Sequence, residues 1–253
     1  MKDPIIRVNN LKKKYGDFDA VRGISFDVAE GEIFGLLGPN GAGKSTTLEI
    51  IETLRQKTSG EVIVNGWNLD THPNEIKKII GVQLQTSGFY PNLNLTELID
   101  MFSGLYNRDI RPMELLEKVN LEDKSKAKYK ELSGGQKQRF SIATTLINQP
   151  QIIFLDEPTT GLDPQARRNL WDLIRDIRSQ GTTIIITTHY MDEAEVLCDR
   201  VAIIDKGKII AMDKPAQLID QLLESGFEKK GEVKRANLED VFIQMTGHLL
   251  REN

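Results

Sequence analysis

The sequence predicts an α/β fold with a parallel central sheet, an antiparallel β portion and an inserted helical region. Apolar runs of strand length, such as 152–155 and 184–186, alternate with segments of helical periodicity, which is typical of a parallel sheet covered by helices. The early strands 5–8 and 24–28 precede this alternation, and the second shows partial apolar–polar alternation. Residues 95–149 favour helix throughout, so we interpret them as an insertion in the α/β chain.

Composition excludes several classes of protein. The 253 residues, 39% of them hydrophobic, are enough for one domain with subdomains. The formal net charge of −4 argues against a basic protein that binds nucleic acid. Cys198 is the only cysteine, which excludes an internal disulfide. We expect neither a secretory signal nor a membrane span, since no apolar run approaches the ~18–20 residues that a span needs.

The elements follow one another with short connections. The predicted strands cover 5–8, 24–28, 32–37, 58–66 (an edge strand), 80–85, 151–157, 182–188, 201–204 and 208–211. The predicted helices cover 46–54, 73–78, 96–105, 112–119, 133–147 and 164–180, with two more after Pro215. We expect one domain, in which 1–94 and 150–213 form the core, 95–149 a helical subdomain and 214–253 a helical tail.

Capping residues mark three of these helices. Thr96 is a candidate cap for the first inserted helix. Asp163, followed by Pro164 and later by Gly181, marks a helix from start to end. The last helix is predicted to start at Asn237 with a capping box. Its apolar stripe comprises Leu238, Val241, Phe242, Met245 and Leu249.

One stretch carries the clearest chemical signal. Gly38-Pro39-Asn40-Gly41-Ala42-Gly43-Lys44-Ser45-Thr46 fits G-x-x-x-x-G-K-[ST], the phosphate-binding loop. Glycines allow backbone N–H groups to surround phosphates, Lys44 adds a cation, and the Ser45 hydroxyl suits Mg²⁺. A strand before the loop and a helix after it are the required context. The sequence therefore predicts the core of a phosphate-loop (P-loop) NTPase.

Further candidate residues lie at strand ends and beside the loop. A buried strand ends in Asp156-Glu157, the next strand ends at His189, and another ends at Gln85. Adjacent acids at the end of a parallel strand typically serve a site. Each residue alone also has an ordinary interpretation: a solvated turn for the acids, a structural histidine, a surface amide. Tyr15, upstream of the loop, is either a surface aromatic or a stacking platform for a base.

A third motif, Leu132-Ser133-Gly134-Gly135-Gln136, is called the signature below. It lies shortly before the strand that ends in Asp156-Glu157. Together with the phosphate loop, this order resembles the nucleotide-binding subunit of ATP-binding-cassette (ABC) transporters over essentially the whole chain. The segments 188–195, 197–200 and 238–247 are similar to the drug-resistance branch of bacterial exporters, in which a separate ATPase serves a separate membrane protein.

The resemblance implies a role for each residue that contacts the reacting end of ATP. Lys44 would bind the β- and γ-phosphates, and Asp156 would hold Mg²⁺ opposite Ser45. Glu157 would polarise the attacking water as a general base. His189 would donate to the γ-phosphate.

The resemblance also implies roles for two residues at the edge of the site. Gln85 would contact Mg²⁺ or the water and connect the site to the helical region. Tyr15 would stack on adenine. The remaining loop contacts to ATP would come from Gly38, Asn40, Gly41, Ala42, Gly43 and Thr46.

In the family, the site is shared between two subunits. Ser133, Gly135 and Gln136 would contact the γ-phosphate held by the loop of a second subunit, so a head-to-tail two-fold dimer contains two sites. Asp163 would lie at that interface while capping its own helix.

The expected function is an ATPase subunit that powers export through a separate membrane permease, bound at the cytoplasmic face of the membrane. One alternative is a soluble ATPase of the same superfamily acting on nucleic acid or the ribosome. The short segment between loop and signature, without sustained heptads, and the single cassette argue against it. A second alternative is a regulatory module that binds ATP without turnover, but Lys44, Asp156, Glu157 and His189 are all intact. We expect no nucleic-acid partner.

Overall fold

The computed structural model describes residues 3–84, 88–227, 238, 241, 244 and 245. The strands of this part are β1 (Ile6–Tyr15), β2 (Phe18–Val28), β3 (Ile33–Leu37), β4 (Ser59–Val64), β5 (Trp67–Asn68), β6 (Ile80–Gln83), β7 (Ile152–Asp156), β8 (Thr183–Thr188), β9 (Arg200–Asp205) and β10 (Lys208–Asp213). The helices are α1 (Lys44–Ile51), α2 (Pro73–Ile79), α3 (Leu95–Tyr106), α4 (Pro112–Lys118), α5 (Gly134–Leu146), α6 (Pro164–Ser179), α7 (Met191–Leu197) and α8 (Pro215–Glu224). Two short 3-10 helices, Glu122–Lys124 and Tyr129–Glu131, connect α4 to α5.

The central sheet has six strands in the order β10-β9-β3-β8-β7-β6. All neighbours are parallel except β10, which pairs antiparallel with β9. Leu37 pairs with Thr188, and Asp156 pairs with Thr187. The carboxyl ends of β3, β7 and β8 therefore meet at one edge of the sheet, where ligands bind in folds of this kind.

A second sheet is antiparallel, with the order β2-β1-β4-β5. The prediction of an edge strand over 58–66 is wrong, because β4 lies between β1 and the two-residue strand β5. Strand β1 runs on through the lysines at 12–14 to Tyr15, beyond the predicted end at residue 8. Backbone pairing with β2 extends the strand here, even though the side chains at its end are largely exposed.

The inserted region consists of α3, α4 and α5 between β6 and β7. Its first helix is capped by Asn94 and not, as predicted, by Thr96. The Asn94 side chain accepts a hydrogen bond from the Glu97 N–H (2.9 Å), and the Glu97 carboxylate accepts one from the Asn94 N–H (2.8 Å). This reciprocal capping box places the helix start one residue before Thr96.

Two apolar cores cover the two faces of the central sheet. Strand β3 shows the division, since Ile33 and Leu37 belong to one core and Phe34 and Leu36 to the other. The first core includes helices α3 to α8, and the second includes α1, α2 and the antiparallel sheet. A parallel sheet buried on both faces explains why β3, β7 and β8 are fully buried. The predicted α/β class with its antiparallel and helical parts is confirmed.

The carboxyl-terminal third contains one helix that the sequence did not predict. Helix α7 has only seven residues, follows closely on β8, and has no side-chain cap, so its two first-turn acids are the only signal of a helix start that its sequence offers. Of the predicted tail stripe, Leu238 and Val241 are buried in the first core and Met245 is exposed. The other named tail residues, Asn237, Asp240, Phe242 and Leu249, lie outside the described residues.

Candidate active site

The phosphate loop connects the carboxyl end of β3 to α1, which begins at Lys44 inside the motif and ends at Ile51. Two of its glycines are required by close packing. A Cβ at Gly38 would lie 2.1 Å from the Ile204 carbonyl oxygen, and Gly43 has φ 105° with the Ala20 carbonyl oxygen 2.6 Å from its Cβ position. No side chain among the described residues caps α1. Its first-turn N–H groups are therefore available to a bound anion.

Lys44 is buried at the centre of the loop, with 4% of its surface exposed. Its ammonium donates hydrogen bonds to the carbonyl oxygens of Gly38 (2.8 Å) and Pro39 (3.1 Å) and lies 3.5 Å from Glu157 Oε1. Burial lowers the pKa of Lys44, and the charges of Glu157 and Asp156 oppose that shift. A cation is thus held beside the space above α1.

Asp156 ends β7 next to the loop. The Ser45 hydroxyl donates to Asp156 Oδ1 at 3.2 Å, and the Thr187 hydroxyl donates to the same oxygen. Burial raises the pKa of Asp156, while these two hydrogen bonds lower it. A hydroxyl and a carboxylate oxygen side by side fit Mg²⁺, which takes one or two protein oxygens and keeps several waters. Gln85, the third predicted magnesium contact, lies outside the described residues.

Glu157 is buried and has a left-handed backbone, with φ 49°. Its N–H donates to the carbonyl (3.1 Å) and hydroxyl (3.0 Å) oxygens of Thr187, which hold this conformation. Oε2 lies 3.3 Å from His189 Nδ1 and accepts a hydrogen bond from Thr160 Oγ1 at 3.2 Å. His189 and, after it, the charge of Lys44 lower the pKa of Glu157 despite its burial, so the carboxylate is charged at neutral pH. A non-glycine residue held at positive φ often marks a functional site.

His189 follows β8 and lies near Oε2 of Glu157, whereas Lys44 lies near Oε1. Its ring is 4.2 Å from the Tyr190 ring, and the guanidinium of Arg167 lies 4.5 Å from the Tyr190 ring centroid. The residues around the site that were not predicted are Thr187, Thr160, Tyr190 and Arg167. Threonines at a strand end and an aromatic beside a histidine carry no distinguishing pattern.

A cavity of about 460 Å³ opens above the loop. Of the predicted residues, Tyr15, Asn40, Gly41, Gly43, Lys44, Ser45, Thr46 and Glu157 line it. Ala42 is buried, and its N–H donates to the Pro39 carbonyl at 3.2 Å. Phe18, the first residue of β2, also lines the cavity and was not predicted.

Tyr15 lines this cavity and is 38% exposed. Replacing it with alanine should weaken ATP binding severalfold, because base–aromatic stacking contributes about 1–3 kcal/mol. Inorganic tripolyphosphate, which has no base, should bind both proteins equally. Titration calorimetry with the two ligands measures this difference. An equal loss of affinity for both ligands would show that Tyr15 only supports the loop.

The signature residues are not part of this cavity. Ser133 caps α5, its hydroxyl accepting from the Gln136 N–H (3.3 Å) while Gln136 Oε1 accepts from the Ser133 N–H (2.9 Å). Asp163 caps α6 through the N–H groups of Gln165 and Ala166, as predicted. The two helix starts are adjacent, since a Cβ at Gly135 would lie 3.0 Å from Ala166 Cβ. Ser133 is exposed, so within one chain the structure leaves the signature away from the phosphate loop.

Below the loop, Glu52 follows α1 and is only 2% exposed. Burial, and then the charges of Asp156 and Glu49, raise its pKa from 4.5 to about 8. At a pH between these two pKa values, Glu52 is protonated in the folded state and ionised in the unfolded chain. The free energy of unfolding should therefore fall as pH rises from 5 to 8, by at most about 1.4 kcal/mol per pH unit from this group, and then level off.

Glu52→Gln should remove that slope. Urea unfolding at several pH values between 5 and 9 measures it, with the exposed Glu61→Gln as the matched control. Parallel profiles for the wild type and Glu52→Gln would contradict the shift.

Within the described residues, no helix combines the length and the apolar character that crossing a membrane requires.

Comparison with known proteins places this site in a family. Residues 21–160 match the family described as ABC transporter. The chain is 42% identical over 221 residues to the Nod factor export ATP-binding protein I of Ralstonia nicotianae, covering 85% of this chain and 69% of that protein. It is 39% identical over 223 residues to the linearmycin resistance ATP-binding protein LnrL of Bacillus subtilis, covering 86% of this chain and 72% of that protein.

Solved structures agree. The fold is similar to an ATP-binding subunit of an ABC transporter, with a TM-score of 0.79 and 27% identity over 96% of this chain and 99% of that one. It is also similar to a dimeric ATP-binding cassette in a post-hydrolysis state bound to ADP and Pi, with a TM-score of 0.73 and 29% identity over 83% of this chain and 98% of that one. The chain is therefore a member of the ABC transporter family and forms its ATP-binding, ATP-hydrolysing subunit.

Proposed function

We propose that this chain hydrolyses Mg²⁺-bound ATP between two copies of itself and that the cycle powers export through a separate membrane permease. The observation that carries the proposal is the charged Glu157 carboxylate, 3.5 Å from Lys44 and beside the Ser45–Asp156 pair at the cavity. A base, a cation and two magnesium ligands next to a phosphate loop are the parts that phosphoryl transfer to water needs.

The chemistry assigned to each residue follows from its position. Lys44 exchanges the Gly38 and Pro39 carbonyls for the β- and γ-phosphate oxygens when ATP binds. Ser45 and Asp156 would hold Mg²⁺, which supplies positive charge to the phosphates. Glu157 orients the attacking water and accepts its proton, and its lowered pKa keeps it in the basic form. His189, near the other oxygen of the carboxylate, is placed to donate to the γ-phosphate.

The partner is a second copy of the chain. The exposed signature at the start of α5 is a helix N-terminus that, within the part of the chain described, does not line the cavity above the loop, and it would complete the neighbour's site. Asp163, at the adjacent start of α6, would lie at the same interface. Support comes from the similar cassette that was solved as a dimer bound to ADP and Pi.

Export is supported by the relatives, which are named for Nod factor export and linearmycin resistance. On this proposal the chain binds at the cytoplasmic face of the membrane through a permease encoded separately. No nucleic acid is expected to take part.

Affinity purification of the tagged Glu157→Gln chain from detergent-solubilised membranes of its native host tests the partner. The expected result is one integral membrane protein in near-stoichiometric amount, with ATPase activity of the wild-type complex above that of the chain alone. A chain that stays in the soluble fraction and purifies with ribosomes or DNA at moderate salt would overturn the transporter assignment.

A further inference from the structure

Glu193, on α7, is a buried carboxylate that the proposed mechanism does not use. Its exposed fraction is zero, yet it lies outside the cavity and contacts no predicted ligand group. A buried carboxylate is costly unless it is hydrogen-bonded, so its partners indicate what it holds in place. Those partners come from three different elements.

The first partner is on α6. The Trp171 indole N–H donates to Glu193 Oε1 at 3.0 Å. This bond connects α7 to α6, the helix that Asp163 caps. Trp171 itself lies within the first apolar core.

The second partner is the Thr188 hydroxyl, at the end of β8. It faces the carboxylate and favours its charged form, as does the hydroxyl of Thr159, although burial has the larger effect and raises the pKa of Glu193. The same Thr188 hydroxyl accepts a hydrogen bond from the Tyr190 N–H at 2.9 Å. The Thr188 hydroxyl thus accepts from the Tyr190 N–H across the backbone of His189 and lies beside the Glu193 carboxylate.

The third partner, Thr159, belongs to the segment between Glu157 and Asp163. The neighbouring Thr160 hydroxyl donates to Glu157 Oε2. The backbone carbonyl of Thr159 accepts from the Leu162 N–H at 3.1 Å. Thr159 also lies beside Glu193, and both Glu193 Oε2 and Thr159 Oγ1 are buried without a hydrogen bond of standard geometry within the described residues. A hydrogen bond between these two atoms would satisfy both of them.

We infer that Glu193 is a positioning residue that connects the His189 turn to the 159–163 segment. These two segments flank Glu157, and the connection keeps both in the positions that hydrolysis requires. The inference rests on the proposed function, because it assigns meaning to the two segments that flank the general base. It predicts a much larger effect on turnover than on ATP binding, because the contacts of the phosphate loop with ATP do not depend on either segment.

The test compares kcat at saturating Mg²⁺-ATP, the Kd of a non-hydrolysable ATP analogue and the melting temperature for five variants of the full chain. Glu193→Gln keeps the shape and the bond from Trp171 but replaces the second accepting oxygen with a donor. Thr188→Val and Thr159→Val each remove one hydroxyl. Ile177→Val is the matched control, since it removes buried apolar volume from α6 in the same core and leaves the hydrogen bond from Trp171 to Glu193 in place. Glu157→Gln reports on the proposed function itself.

We expect kcat to fall about tenfold in Glu193→Gln and severalfold in each valine variant, with Kd unchanged within about twofold. Ile177→Val should lower the melting temperature while kcat stays within about twofold of wild type. Thr188→Val and Thr159→Val should have little further effect in the Glu193→Gln background, because all three act through one link.

Additive effects in the double variants would overturn the inference. So would wild-type kcat in Glu193→Gln, or losses of kcat that only follow melting temperature. If wild-type chain turns over ATP and Glu157→Gln does not, these outcomes reject the role of Glu193 alone. If wild-type chain shows no turnover, the proposed function fails with it.

Discussion

Glu157→Gln should reduce steady-state ATP hydrolysis by about 10²- to 10⁴-fold, the contribution typical of a positioned general base. The amide keeps the size of the side chain and its contact with Thr160, but it cannot accept the proton of the attacking water. ATP binding should persist, because Lys44 and the loop are unchanged. With ATP bound and not consumed, the dimer should accumulate, and light scattering on a size-exclusion column measures its mass.

Asp172→Asn is the matched control for this prediction. Asp172 is an exposed acid on α6 that pairs with Arg175 (3.0 Å), and its amide should leave turnover and dimerisation unchanged. Turnover in Glu157→Gln above half of the wild-type rate would show that another group acts as the base.

Lys44→Ala and Ser133→Arg should each abolish hydrolysis in a homodimer, for different reasons. Lys44→Ala removes the buried cation of the loop and should weaken ATP binding to the single chain. Ser133→Arg leaves that binding intact but blocks the exposed start of α5, so ATP should no longer bring two chains together. Loss of preorganised groups around the transferring phosphate typically costs 10²-fold or more in rate, and we expect at least about that for both.

Ser179→Arg is the control for added bulk and charge. Ser179 is exposed at the other end of α6, about 24 Å along the helix from Asp163 by helical rise, and its replacement should leave the rate unchanged. Ser133→Arg also removes a helix cap, worth about 1 kcal/mol, so its melting temperature must be measured alongside. ATP-dependent dimerisation by Ser133→Arg would contradict the role of the signature.

The central parts of the site follow from local patterns. The phosphate loop is defined by residue type and spacing, and buried apolar runs on either side fix its context as strand and helix. The Asp156-Glu157 pair was predicted because parallel strands end at one edge of a sheet, as β7 and β8 do, whereas the role of His189 was predicted from the resemblance to the family. Asp163 was predicted as a cap from the Asp-Pro pair that opens α6.

Other features depend on contacts between distant parts of the chain. The left-handed backbone of Glu157 is held by Thr187 on the neighbouring strand, which no local pattern indicates. The same holds for the buried carboxylate of Glu193 and its bond from Trp171, 22 residues away in the sequence. The edge-strand prediction at β4 was wrong for this reason too, since the two-residue strand that covers it is too short to be predicted from its composition.

In the proposed dimer, each ATP site combines the loop of one chain with the signature of another. Co-expressed, differently tagged chains permit a direct test through mixed dimers purified with both tags. Pairing a Lys44→Ala chain with a Ser133→Arg chain leaves one intact site if the sites are shared. Pairing a wild-type chain with a Lys44→Ala/Ser133→Arg double variant then leaves none.

The rate of ATP hydrolysis by these two mixed dimers is the decisive measurement. If the sites are shared, the pair of a Lys44→Ala chain with a Ser133→Arg chain should reach up to about half of the wild-type rate. The pair of a wild-type chain with the double variant should show only background hydrolysis. The opposite pattern, with activity in the wild-type/double-variant dimer and none in the complementing pair, would show that each chain carries a complete site of its own.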